Sequence, residues 1–370
     1  MTQTDPKDVV LIGGGHTHAL VLHRWALHPA EGARLTVINP DPTAPYTGML
    51  PGYIAGHYTR DALEIDLRHL AERAGARLIL GRATGLDPVA RRIEVAGHGA
   101  VAYDLASVDI GITSDLPGIT GYREHAVSAK PLGGYANAWQ SWLDRVAAGA
   151  VAPQVAIIGG GVAGVELALA MAYRLRGQAA DITIVDAGTI LPNIGAQART
   201  RLIGHLDRAG VQRCENTQPR AITPEGIETD TGAMIRASFV LGAAGARPQG
   251  WLETTGLTLT NGFITVDPFL RSLSAPEIFA VGDCAHMAHA PRAKAGVYAV
   301  RQAPYLLGNL RAALNGDRMR AYQPQNDYLK LVSLGGKTAL ADKWSLPLEG
   351  AWLWWLKDRI DARFMGQFRA

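Results

Sequence analysis

Short, wholly apolar runs alternate along this chain with stretches of helical period. Val9-Val10-Leu11-Ile12 leads into a glycine turn, a helical pattern from about Ala19 to Leu27, and a second apolar run at Leu35-Thr36-Val37-Ile38. The same order returns at Val155-Ala156-Ile157-Ile158, then a glycine turn, a helix continuing from Ala168 to Leu175, and Asp181-Ile182-Thr183-Ile184-Val185. Runs of four or five apolar residues bounded by turns read as strands buried on both faces. The order strand, turn, helix, strand predicts parallel sheets with crossover helices, an α/β fold class with two three-layer units. Further strands are expected within 103–113, at Phe239-Val240-Leu241 and at Ile278-Phe279-Ala280-Val281.

The turns say what those units hold. Gly13-Gly14-Gly15-His16-Thr17-His18 and Gly159-Gly160-Gly161-Val162-Ala163-Gly164 each join a strand to a helix. There, backbone N–H groups can approach a pyrophosphate, and the helix N-terminus adds partial positive charge. The second turn carries all three glycines of G-x-G-x-x-G, at Gly159, Gly161 and Gly164. The first has Gly13 and Gly15, but His18 stands third, where a side chain is expected to loosen strand–helix packing. Asp186 ends the strand after the second turn, placed to accept from ribose hydroxyls. Its charge would repel a 2′-phosphate, which favours NADH over NADPH. Asn39 holds the equivalent place in the first copy and bonds without charge. The chain therefore reads as two Rossmann-like domains binding two dinucleotides.

Composition narrows the function by exclusion. A length of 370 residues with 48% hydrophobic and 19% charged positions suits about two ordinary globular domains. Against 36 basic residues stand 33 acidic ones, an excess too small to drive nucleic-acid binding. The two cysteines, Cys214 and Cys284, form no Cys-x-x-Cys, so an in-sequence dithiol pair is excluded. The polar start, Met1 to Asp8, is no signal peptide, and no run approaches the ~18 to 20 apolar residues of a membrane span. A cytoplasmic location is expected.

Pro276-Glu277-Ile278-Phe279-Ala280-Val281-Gly282-Asp283 is a strand running into Gly-Asp. With two glycine turns ahead of it, the chain resembles the two-dinucleotide flavoproteins of the pyridine nucleotide–disulfide oxidoreductase superfamily. The resemblance implies the glutathione reductase-type architecture and FAD as first cofactor, with Asp283 on the ribityl chain. It also implies an order of parts: 1–115 and 246–325 as the two pieces of an FAD domain, 116–245 as an inserted NAD(P)H domain, and 326–370 as a C-terminal tail. Pro45-Tyr46-Thr47-Gly48-Met49-Leu50-Pro51-Gly52-Tyr53 resembles a flavin-side loop of type II NADH dehydrogenases and sulfide:quinone oxidoreductases. That loop, the Gly-Gly-Gly-His-Thr-His turn, the segment from Lys294 to Gln302 and the tail resemble the branch often fused ahead of selenide, water dikinase. No dikinase sequence follows, so a stand-alone version is expected, with a selenophosphate synthetase as an alternative partner.

By resemblance, FAD contacts fall at Gly13, Gly14, Gly15, His16, Thr17, His18, Asn39, Met49, Leu50, Thr113, Gly282, Asp283 and Ala295. Nicotinamide-nucleotide contacts fall at Gly159, Gly161, Val162, Ala163, Gly164, Glu166, Asp186 and Gly245. The expected activity is hydride transfer from NADH to flavin N5 and onward to a quinone or other small acceptor. Two departures matter. No cysteine pair lies where persulfide chemistry needs one, and Ala295-Gly296 stands where type II NADH dehydrogenases carry Ala-Gln at the quinone site.

Four side chains are candidates for direct roles, each with a plainer reading beside it. Glu166 could reach the nicotinamide or the flavin edge, or simply suit a helix N-terminus. Lys130 could face the flavin or be solvated. Lys294 and Tyr298, four residues apart, are expected to share a helix face that borders the acceptor or merely packs. Cys284-x-His286-x-x-His289 lacks a fourth ligand and a flavin-facing helix is expected there, so no metal site is assigned. In the tail, Trp352, Leu353, Trp355, Leu356, Ile360, Phe364 and Phe368 fall near one helical stripe, with Lys357, Asp358, Arg359, Asp361 and Arg363 elsewhere. Such a helix docks on its own protein or a second subunit, or lies peripherally on the inner face of the cell membrane.

Overall fold

The computed structural model describes residues 5–343 and 347–369; residues 1–4 of the polar start lie outside them. Two five-stranded parallel sheets organise the chain. The first runs in the spatial order Ile278–Ala280, Leu105–Val108, Lys7–Ile12, Ala33–Asn39, Arg77–Leu80. The second repeats it as Ala126–Ser128, Phe239–Gly242, Gln154–Ile158, Asp181–Val185, Gln212–Cys214. In both, the strand that enters the glycine turn is central, and Val9 to Ile12 and Val155 to Ile158 are fully buried. That placement explains why those runs lack polar alternation. Each sheet also carries a three-stranded antiparallel meander, at 83–102 and at 219–236. Because Ile278–Ala280 pairs with Leu105–Val108 across the intervening chain, the second sheet is inserted into the first. The fold is the α/β double-dinucleotide architecture that the paired turns imply.

The helix after each turn begins earlier than its apolar pattern suggests. It spans His16–Leu27 in the first copy and Val162–Arg174 in the second. Extended Gly15 and Gly161 are the caps, so the first helical turn is built from the fingerprint itself.

The tail forms a three-stranded antiparallel sheet, Lys330–Ser333, Ala339–Asp342 and Leu348–Gly350, and the helix Ala351–Gly366. The expected single apolar stripe on this helix is divided. Leu353, Met365 and Phe368 are buried against the protein, whereas Trp352, Trp355 and Ile360 remain about half exposed. The physical reason is width: at 3.6 residues per turn those apolar positions cover more than half the circumference, too much for one seam. Lys357, Asp358 and Asp361, expected away from the packed face, turn inward and are held there by hydrogen bonds. Among the described residues no helix is long and apolar enough to cross a membrane.

Candidate functional site

The first cradle lies at the C-terminal edge of the first sheet. Gly13 adopts a φ of 91°, open to glycine, and a Cβ there would overlap the Asp109 backbone. The Gly14 N–H donates to the Asn39 Oδ1 at 2.9 Å, which ties the turn to the end of the next strand. The Thr17 and His18 N–H groups donate to the Asp109 Oδ2 at 3.0 and 3.1 Å. A cavity of about 780 Å³ runs from this turn past Asn39, Ala83, Thr113, Lys130, Asp283 and Ala295, the size a dinucleotide needs.

His18 does not loosen the packing as expected. Its ring is fully buried, with Nδ1 2.7 Å from the Gly13 carbonyl and Nε2 2.8 Å from the Ser107 hydroxyl. The histidine replaces close backbone approach with two hydrogen bonds. Burial lowers its pKa to about 4, so the ring is neutral at pH 7, one nitrogen donating and the other accepting. His16 is likewise lowered to about 4 by burial, with Asp283 pulling the other way, and its ring leans on Tyr46 and Phe364.

The second cradle repeats this geometry. Gly159 has a φ of 117°, and the Gly160 N–H donates to the Asp186 Oδ2 at 2.6 Å, the counterpart of Gly14 and Asn39. The Asp186 Oδ1 also accepts from the Gly188 N–H at 2.7 Å. A Cβ at Gly164 would overlap the Gly159 carbonyl oxygen, so glycine is required there by contact. Val162 and Ala163 form the open first turn of the helix, and Gly245 takes a left-handed φ of 71° beyond the closing strand.

Other candidate side chains are placed as follows. Lys130 is not a solvated lysine: its Nζ pairs with Asp283 Oδ2 at 2.9 Å inside the cavity. Met49 and Leu50 are buried in the core, and their neighbour Thr47 faces the cavity. Lys294 and Tyr298 do not share a helix face, because the helix starts at Gly296 with Ala295 as its cap. Lys294 Nζ instead donates to the Ala285 carbonyl at 2.5 Å and sits 3.9 Å over the Phe263 ring; Tyr298 packs edge-on against Tyr328. No helix follows Gly-Asp directly. A 3-10 turn, Gly282–Cys284, passes into the strand Ala285–Met287, which pairs with Phe263–Val266. Cys284 is buried on the Val108 and Val281 carbonyls, and His289 bonds the Tyr322 carbonyl, so the two diverge.

Glu166 points toward the tail. Its Oε1 accepts from the Ser333 N–H at 2.7 Å, and burial raises its pKa, with Lys357 opposing. The C-terminal helix closes this side. Lys357 Nζ bonds Asp361 at 2.7 Å and the Gly48 carbonyl at 2.5 Å; the Tyr46 hydroxyl donates to Asp361 at 2.9 Å, and Phe364 stacks on the Tyr46 ring at 4.6 Å.

The family described as pyridine nucleotide-disulphide oxidoreductase matches residues 7–303. The chain belongs to it. The protein is accordingly an oxidoreductase of the pyridine nucleotide-disulphide type. It is 24% identical to the NADH dehydrogenase-like protein YutJ of Bacillus subtilis over 341 residues, 90% of this chain and 91% of that one. It is 21% identical to the type II NADH:quinone oxidoreductase of Staphylococcus epidermidis, over 97% and 95% of the two chains. In structure it is similar to NDH2 from Plasmodium falciparum, solved in complex with NADH, with a TM-score of 0.82 at 14% identity over 98% and 97% of the chains. It is also similar to the sulfide:quinone oxidoreductase of Aquifex aeolicus, with a TM-score of 0.81 at 18% identity over 98% and 91% of the chains.

For a member of this family the two cradles fit FAD and NADH. The first has a turn that only glycine fits, since a Cβ at Gly13, Gly14 or Gly15 would strike Asp109 or Leu67, and it opens on a cavity that reaches Asp283. The second pairs its glycine turn with a carboxylate at Asp186. The sequence did not single out Asp109, which lines the cavity, or the cluster of Tyr46, Lys357 and Asp361 beside His16. Asp109 had one visible signal, an acid at the end of an otherwise apolar strand; the other three depend on how the tail folds back.

Proposed function

We propose that the protein oxidises NADH at the second cradle, in 116–245, and reduces a quinone-type acceptor through FAD held by 1–115 and 246–325. The observation that carries this reading is the duplicated turn, one copy ending in neutral Asn39 and the other in charged Asp186. Bound in the first cradle, FAD would supply the hydride-accepting and electron-releasing chemistry. The chain's own residues bind, orient and exclude water. Asp186 accepts the ribose hydroxyls and disfavours NADPH. Asp283 holds the ribityl chain, and its pairing with Lys130 places a positive charge along the flavin. Glu166, fixed by the Ser333 N–H, would lie beside the bound nicotinamide. Tyr46, Phe364 and the Lys357–Asp361 pair would screen that side from water, which would favour hydride transfer over side reactions.

A quinone acceptor is supported by the relatives that are NADH:quinone oxidoreductases and by the tail. Trp352, Trp355 and Ile360 are exposed on the outer face of a helix whose inner face is docked, a pattern suited to peripheral contact with a bilayer surface. Steady-state NADH oxidation with short-chain quinones tests the acceptor, and co-sedimentation with anionic vesicles tests the tail. Trp352→Ala/Trp355→Ala is expected to lower vesicle binding about tenfold while leaving anaerobic reduction by NADH unchanged. Equal vesicle binding by the variant would remove the membrane role.

A further inference from the structure

Besides Asn39/Asp186 and His18/Gly164, the two cradles differ at a third structurally equivalent position. The Asp109 N–H donates to the Ile12 carbonyl and the Ala243 N–H to the Ile158 carbonyl, each at 2.8 Å, so the two residues close their sheets in the same way. Alanine leaves the second helix N-terminus open to a phosphate. Aspartate covers the first. Asp109 is 4% exposed, and its Oδ2 already accepts from the Thr17 and His18 N–H groups, two of the donors that the helix presents at its start. Its other oxygen lies between Gly15 and Gly282, where a Cβ on either glycine would collide with it. An ionised carboxylate here sits against the place the FAD diphosphate must take.

We propose that Asp109 is a proton-linked residue of the diphosphate site: it binds FAD in the carboxylic acid form, donating its proton toward the diphosphate, and as a carboxylate it opposes FAD. This rests on the reading of the first cradle as the FAD site. An ionised carboxylate can only accept, whereas the protonated carboxyl donates through its O–H and still accepts through its carbonyl, so one side chain serves the empty and the filled cradle in turn. Burial pushes Asp109 up to about 7, Asp283 adds to the rise, and the Thr17 and His18 amides oppose it. The groups around it leave that titration exposed. Asp283 is paired with Lys130; the Cys284 thiol is raised to about 12 by burial and stays neutral; His16 is lowered to about 4 and is neutral too. Lys294, beyond Cys284 and Asp283, is spent on the Ala285 carbonyl. A bound diphosphate brings further negative charge and raises the carboxyl again. The folded chain therefore takes up a proton as FAD binds, and affinity falls as pH rises above about 7.

The test is FAD binding to the full chain stripped of flavin, measured by fluorescence quenching from pH 6 to 9. The dissociation constant of the wild type is expected to rise about tenfold across that range, since a single linked proton changes it by at most tenfold per pH unit. Asp109→Asn, which keeps an acceptor for the Thr17 amide, is expected to change less than about twofold. Calorimetry of the wild type at pH 8 in buffers of different ionisation enthalpy is expected to show uptake of a fraction of one proton, and it decides the matter even if the variant does not fold. A flat wild-type profile, an unchanged slope in Asp109→Asn, or zero proton uptake overturns the inference while leaving the FAD site standing. A chain that takes up no FAD at any pH overturns both.

Discussion

The two glycine cradles are built on one plan, and their differences divide the labour between them. Gly13 and Gly159 make the same turn, Gly14 and Gly160 donate to the same place on the next strand, and Asp109 and Ala243 close the two sheets alike. The second cradle achieves close helix–strand contact with Gly164, where even a methyl group would strike the Gly159 oxygen. The first solves the same junction with His18 bonded to Gly13 and Ser107, and with Asp109 capping the helix from another strand. A bare cradle is ready for its ligand. A cradle lined with polar side chains has its donors and acceptors engaged beforehand, and the ligand must compete for them.

The largest expected effect breaks the second cradle alone. Gly164→Val drives its Cβ into the Gly159 carbonyl oxygen with a branched side chain behind it and should make reduction by NADH at least about 100-fold slower, while the protein remains yellow. Loss of flavin together with NADH reduction would mean that the two cradles are not independent. Asp283→Ala strikes the first cradle instead. It removes a charged acceptor and leaves Lys130 unpaired, so FAD should bind about 10- to 100-fold more weakly, read from flavin content on purification and from titration. Asp186→Arg sharpens the contrast with Asn39: the preference for NADH over NADPH should fall about tenfold, and unchanged NADH kinetics would separate Asp186 from the ribose.

The smallest effect concerns acid stability of the flavin-free chain. His18 is neutral when folded, with its pKa lowered to about 4 against an ordinary 6.5. The unfolded chain therefore binds the extra proton, and stability present above pH 6.5 is lost as pH falls toward 4. The contribution of His18 to that loss is on the order of 3 kcal/mol, read as the difference between wild type and His18→Asn in denaturant titrations at pH 7 and pH 4.5, because His16 and Asp109 titrate over the same range. His18→Asn should be less stable at pH 7 and show a shallower decline. An equal decline would assign the acid sensitivity elsewhere.

What could be read from the residues was whatever depends on local order. A glycine turn between an apolar run and a helix carries its geometry with it, so both cradles, Asn39 and Asp186 are legible in the sequence. Asp283 was visible through the resemblance. The rest depends on contacts between distant segments. Lys130 meets Asp283 across 153 positions, and Tyr46 meets Asp361 across 315. Lys294 misled because four-residue spacing implies a shared face only inside a helix, and that helix begins two residues later. The tail misled for a related reason: a wide apolar arc fits two surfaces, and only the fold decides which charged residues turn inward.

The most direct test of the account is an anaerobic visible-spectrum titration of the FAD-loaded protein with NADH and then, in a fresh sample, NADPH. The account predicts that NADH bleaches the flavin band rapidly and stoichiometrically, with NADPH at least about tenfold slower. A flavin band that neither nucleotide bleaches would contradict it, because the second cradle would then hold no hydride donor for the first.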